Sequence, residues 1–170
     1  MQFFLYSGEE DIAMRFQDYV INSIQNGFDE VFKYARQIPA DKLEWKPMDT
    51  GRSALDQCQE IAQCPDYVTA MLGGAKEEPA PDAWEQLVKE RQSWTTIDKC
   101  EEVAKEKLGK LFEAIRATSE EDLKKTVWLP YDGGRDFTWQ EVMEYPRWNA
   151  NYHAGQIAYI QTLYGDKEMH

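Results

Sequence analysis

Apolar side chains recur at Ile12, Phe16, Tyr19, Val20, Ile24, Phe28, Val31, Ala35 and Ile38. Steps of three or four residues, held for roughly 30 residues, are the period of an α-helix with one face in a core. The stripe predicts a long helix from about Glu9 to Ile38, ended by Pro39, which cannot donate to a helix ladder. Gly27 inside it costs helix propensity but permits close packing against a neighbour. A chain that opens this way needs partners of similar length to cover the stripe, and the sequence supplies them.

Ser53 is a suitable N-cap for a second helix, which runs to about Leu72 and stops at Gly73-Gly74. Pro65 falls inside it and is expected to kink it or remove one hydrogen bond. A charged, proline-rich connector, Lys76 to Pro81, leads to a helical piece from Asp82 to Trp94. Thr95 or Thr96 caps a third long helix to about Ala117, with Ile97, Cys100, Val103, Leu108, Leu111, Phe112 and Ile115 as its buried stripe. From Thr126 to Phe137 two short extended runs flank Asp132-Gly133-Gly134, the chemistry of a tight hairpin. Thr138 and Glu141 form a capping box for the last helix, which ends near Tyr164-Gly165. Pro146, about two turns in, is expected to bring a local irregularity. Four long amphipathic segments without internal repeats predict one all-α domain over residues 1–170. It is a four-helix bundle with a short hairpin-like excursion before the last helix. With a long connector between the second and third helices and the hairpin between the third and fourth, a simple up-down-up-down topology needs at least one crossover.

Composition narrows the partners. With 31 acidic against 19 basic residues the net charge is −12. Such a surface repels phosphate, and no basic run exceeds Lys124-Lys125, so neither nucleic acid nor an anionic membrane is expected. Cys58, Cys64 and Cys100 are too few and too widely spaced for a thiolate metal site, and they read as reduced core fillers. The first residues carry neither a basic segment nor an apolar core adequate for a signal peptide, so a cytoplasmic location is expected.

The chemistry gathers in Asn149-Ala-Asn-Tyr-His153-Ala-Gly-Gln156. Asn149, His153 and Gln156 share one helix face, and that face continues through Ile160 and Leu163, read as core. Polar groups are thereby sent inward, where each needs a partner. Trp148 and Tyr152 flank the stripe as candidate pocket walls, and Gln156 reads as a helix–helix hydrogen bond. On the second helix Glu60 shares a face with Cys64, Tyr67 and Met71, so it too points at least partly inward.

Three stretches resemble the DinB/YfiT-like superfamily of metal-binding four-helix bundles: Leu43-Glu-Trp-Lys-Pro47, Gly51-Arg-Ser-Ala-Leu55, and Tyr152-His-Ala-Gly-Gln156-Ile-Ala-Tyr-Ile160 with Leu163-Tyr-Gly165. The resemblance implies three histidines around one divalent ion in the bundle core. Carried over, the ligand positions fall on Glu60, Asn149 and His153, only one of them histidine. Two oxygens in place of two imidazoles weaken the site for zinc, nickel or copper and move it toward harder ions such as manganese. The resemblance therefore implies at most one exchangeable divalent ion (Mn, Ni or Zn). The other arrangement open to the same side chains is metal-free, with Glu60, Asn149 and His153 hydrogen-bonded to one another.

Two functions follow as expectations. One is a metal-dependent thiol transferase or hydrolase, with the ion activating a nucleophile. The other is a non-catalytic small-ligand-binding or dimerisation module whose metal site has been lost. The resemblance, with aromatic residues in the hairpin (Trp128, Tyr131, Phe137), also points to a homodimer.

Overall fold

The computed structural model describes residues 14–75 and 80–168. The predicted start of the first helix, the signal-peptide reading, most of the proline-rich connector and His170 lie outside that range. Five helices and a hairpin follow in order: α1 (Phe16–Arg36), α2 (Ala54–Leu72), α3 (Pro81–Gln92), α4 (Ile97–Ala117), β1 (Thr126–Leu129), β2 (Arg135–Thr138) and α5 (Trp139–Leu163). Single turns of 3-10 helix lie at Ala40–Lys42 and Asp122–Lys124.

The ends are set by local chemistry. Ser53 Oγ accepts from Asp56 N–H at the start of α2, and Thr96 Oγ1 accepts from Lys99 N–H at the start of α4. Thr138 and Glu141 close a reciprocal capping box on α5, with Glu141 Oε2 taking Thr138 N–H at 2.8 Å. Gly74 (φ +95°) and Gly165 (φ +98°) turn the chain away after α2 and α5 in a conformation that side chains resist. Pro65 and Pro146 both sit within unbroken helices. Each withholds one backbone donor, and the expected interruption goes no further than that.

α2 packs most extensively on α4, and α1 on α5; α2–α5 and α1–α4 contacts close the ring. α1 and α2, consecutive in sequence, therefore stand diagonally, as do α4 and α5 across the hairpin, whereas the long connector joins the neighbours α2 and α4. Val20, Ile24, Phe28, Ile61, Leu111, Ile115 and Ile157 fill the centre at 0–1 % exposure. Each such side chain stabilises the fold by about 1.5–3 kcal/mol relative to its exposed state. A Cβ on Gly27 would come within 3.2 Å of Ala150 Cβ, so glycine there lets α1 lie close against α5. Two residues read as core are not: Tyr19 is 48 % and Leu163 45 % exposed. Tyr19 lies in the first turn of α1 and Leu163 is the last residue of α5, at the ends of their stripes.

β1 and β2 pair antiparallel, from Thr126 opposite Thr138 to Leu129 opposite Arg135. Asp132 (φ 54°), Gly133 and Gly134 all take positive φ in the turn. Val127 and Leu129 point into the core, while Trp128 and Tyr131 face outward. The short α3 buries none of its residues fully and rests on α2 as an outer wall. No helix among the described residues is long and apolar enough to cross a membrane.

Candidate functional site

The N-cap at Ser53 fixes the phase of α2, so that Gln57, Glu60, Cys64 and Tyr67 fall on the face turned toward α5 and the cleft beside it. On α5, Asn149 and His153, one turn apart, face back across the seam and are both buried. His153 is held from both sides. Its Nδ1 lies 3.0 Å from Gln57 Oε1 and its Nε2 3.2 Å from Glu60 Oε1. Both ring nitrogens thus have an oxygen of α2 within hydrogen-bonding distance.

The far oxygen of Glu60 continues the chain of charges. Arg52 Nη1 reaches Glu60 Oε2 at 2.7 Å, and Arg52 Nε reaches Asp56 Oδ2 at 2.6 Å. Arg91 Nη1 approaches Glu60 Oε2 to 4.0 Å, too far for a hydrogen bond. The hydrogen bond from His153, with the positive charge of Arg52, holds the Glu60 carboxyl down at about 2 against the pull of partial burial. Glu60 is thus a carboxylate at any ordinary pH.

Beside this chain lies a cavity of about 890 Å³ between α2, α3 and α5. Glu60 and Asn149 form part of its floor; Tyr67, Met71, Trp84, Leu87 and Tyr145 supply apolar and aromatic walls. Asn149 Oδ1 is buried and has no hydrogen-bond partner among the described residues. Cys64 also lines the cavity, but burial raises its thiol pKa far above the ordinary range, which makes it a poor nucleophile.

The structure thus brings Glu60 and His153 into direct contact and sets Asn149 next to them without bonding its oxygen to either. The expected three-way hydrogen-bonded cluster is half formed. Trp148 and Tyr152, expected as pocket walls, stack on one another at 5.6 Å on the outside of α5, and Tyr145 takes the wall position. Gln156 is half-buried and makes no helix-bridging hydrogen bond among the described residues. The sequence reading missed Gln57, Arg52 and Arg91. Gln57 was within reach of inference, standing three residues before Glu60 on the same face. Arg91 was not, because α3 folds onto the cleft only in three dimensions.

The chain belongs to the DinB family, whose model matches residues 14–170. Solved structures share the fold at low identity. One is YfiT from Bacillus subtilis, described as a probable metal-dependent hydrolase with an unusual four-helix bundle topology, at TM-score 0.71 and 14 % identity over 94 % of each chain. Another is a mycothiol-dependent maleylpyruvate isomerase, at TM-score 0.65 and 14 % identity, where the match covers 83 % of this chain and 60 % of that one. A conserved protein from Enterococcus faecalis matches at TM-score 0.60 and 15 % identity over 89 % and 98 % of the two chains. No curated protein matches in sequence. Identities this low establish the bundle and its helix order, not a shared reaction.

The resident side chains fit a divalent ion poorly. Among the described residues no three His, Cys, Asp or Glu side chains come together as a ligand group. Glu60 spends one oxygen on His153 Nε2 and the other on Arg52. A dication about 4 Å from the Arg52 guanidinium would meet a repulsion of about 8 kcal/mol at an effective dielectric constant of about 20. The asparagine oxygen that remains is neutral and a weak ligand.

Proposed function

We propose that this chain is a small-molecule-binding member of the DinB family that works without a divalent metal. In it, the pairing of Glu60 with Arg52 and His153 stands where the ion would be. The observation that carries this reading is the Arg52–Glu60 contact at 2.7 Å on the floor of a large, aromatic-walled cavity. The charge that a metal would supply is already present as a guanidinium, and the cavity above it has the size and lining of an organic-ligand site. Glu60 and His153 are hydrogen-bonded to one another, and the thiol that lines the same cavity, Cys64, is a poor nucleophile, so binding rather than turnover is the function the site supports best.

The test joins metal analysis to ligand screening. Protein purified without a histidine tag is incubated with manganese, nickel and zinc, desalted and assayed for bound metal; substantially less than one ion per chain is expected. A thermal-shift screen of small organic molecules in EDTA should give hits that vanish in Ala70→Trp, which fills the cavity from an exposed position. Near-stoichiometric metal, lost in both Glu60→Ala and His153→Ala, would overturn the reading. It would restore the metal-dependent thiol transferase or hydrolase, and low-molecular-weight thiols and esters would then be the substrates to assay.

A column of exposed rings on α5, Tyr145, Trp148 and Tyr152, each stacked on the next, favours self-association as a second property. Sedimentation of the wild type beside Trp148→Glu tests it: a dimer converted to monomer supports a homodimer, and a wild type that sediments as a monomer removes it.

A further inference from the structure

The cavity carries three charged side chains, and two already hold close contacts with basic neighbours. Glu60 is matched by Arg52 and His153, and Asp66 by Lys107, whose Nζ binds its Oδ2. The third is Arg91, from α3. Its side chain is only 16 % exposed, and among the described residues its one ion pair is the 4.0 Å approach to Glu60 and its buried Nε has no hydrogen-bond partner. A guanidinium drawn out of water with a donor unmet is costly, and in native proteins such donors are almost always satisfied. Across the same cavity Asn149, 96 % buried, holds an oxygen with no partner. One wall thus offers an unmatched cationic donor and the other an unmatched acceptor. Between them lie Tyr67, Trp84, Leu87 and Tyr145.

Building on the small-molecule reading above, we propose that the cavity takes an organic anion. Arg91 binds a carboxylate, Asn149 Oδ1 accepts from an N–H or O–H group on the ligand body, and the aromatic walls cover the remainder. A guanidinium with an unmet donor suits the planar carboxylate, to which it can donate two parallel hydrogen bonds. In a protein of net charge −12 an anion has little reason to approach the surface at large. Its selectivity for this cavity then rests on Arg91, supported by Arg52 behind Glu60.

Matched pairs of probes test this: 4-phenylbutyrate against 4-phenylbutanol, and octanoate against octanol, titrated by calorimetry in EDTA with wild type, Arg91→Gln and Arg91→Lys. The wild type should bind each carboxylate at least about tenfold more tightly than its alcohol, the scale of one charge-assisted hydrogen bond. Arg91→Gln should abolish that preference while leaving the alcohols unchanged; Arg91→Lys should retain part of it. Circular dichroism melts establish that both variants are folded. If alcohols bind as well as acids, or Arg91→Gln keeps the preference, the anion assignment is wrong and the small-molecule reading stands. Absence of binding by all four probes at millimolar concentration would overturn both.

Discussion

The polar residues of α2 divide into two groups that behave differently. Gln59 and Gln63 each donate to one backbone carbonyl, Trp94 O at 3.0 Å and Leu87 O at 2.8 Å, and so fasten α3 and the following turn to the bundle. Gln57 and Glu60, on the seam with α5, converge on one histidine and leave Asn149 Oδ1 and Arg91 Nε unsatisfied nearby. The first group is complete in itself and serves architecture. The second is incomplete, and an incomplete buried network is where a ligand gains most by binding. Burial alone does not distinguish them, since Gln59 and Gln57 are both almost fully enclosed. Satisfaction does.

The contrast can be broken by substitution. His153→Ala should have the largest effect, about 2–4 kcal/mol of destabilisation, because it opens a cavity and strands the partners on α2. Urea unfolding checks it, and a loss below about 0.5 kcal/mol, the range of ordinary surface substitutions, would show that His153 does not hold the seam. Gln59→Ala should cost less, about 1–3 kcal/mol for an unpaired Trp94 carbonyl, and should leave ligand affinity unchanged. If it weakened ligand binding instead, the division between fastening and binding residues would fail.

Glu60 gives the contrast a pH signature. Its carboxyl titrates at about 2 in the folded protein against an ordinary 4.5. As pH falls, the unfolded chain takes up this proton first. The stabilisation from Glu60 is therefore complete above about pH 4.5 and is lost as the pH drops toward 2. The gap in stability between wild type and Glu60→Gln should be widest near neutrality and should close across that window. A gap independent of pH would mean that the charge on Glu60 contributes nothing.

The smallest effect is expected from Asn149→Leu. An acceptor buried without a partner already costs its desolvation, so removing it should be neutral or stabilising by up to about 1 kcal/mol. A clear destabilisation, read by the same unfolding experiment, would place Asn149 with the fastening residues.

Much of this protein was legible along the chain. The stripe from Phe16 to Ile38, the caps at Ser53, Thr96 and Thr138, and the Asp132-Gly133-Gly134 turn each act within a few residues, so sequence spacing alone determined the elements and the bundle. The inward direction of Glu60, Asn149 and His153 was set in the same way, by helical phase. Helical phase fixes direction only, and it says nothing of what lies opposite. Whether Asn149 would complete a cluster or face an open cavity depended on the lateral fit of α5 against α2. Arg91, 31 residues beyond Glu60, reaches the site only because Gln63 holds α3 by the Leu87 carbonyl. Tertiary structure alone decided those matters, because contacts between distant segments depend on how whole helices pack, not on the periodicity within any one of them.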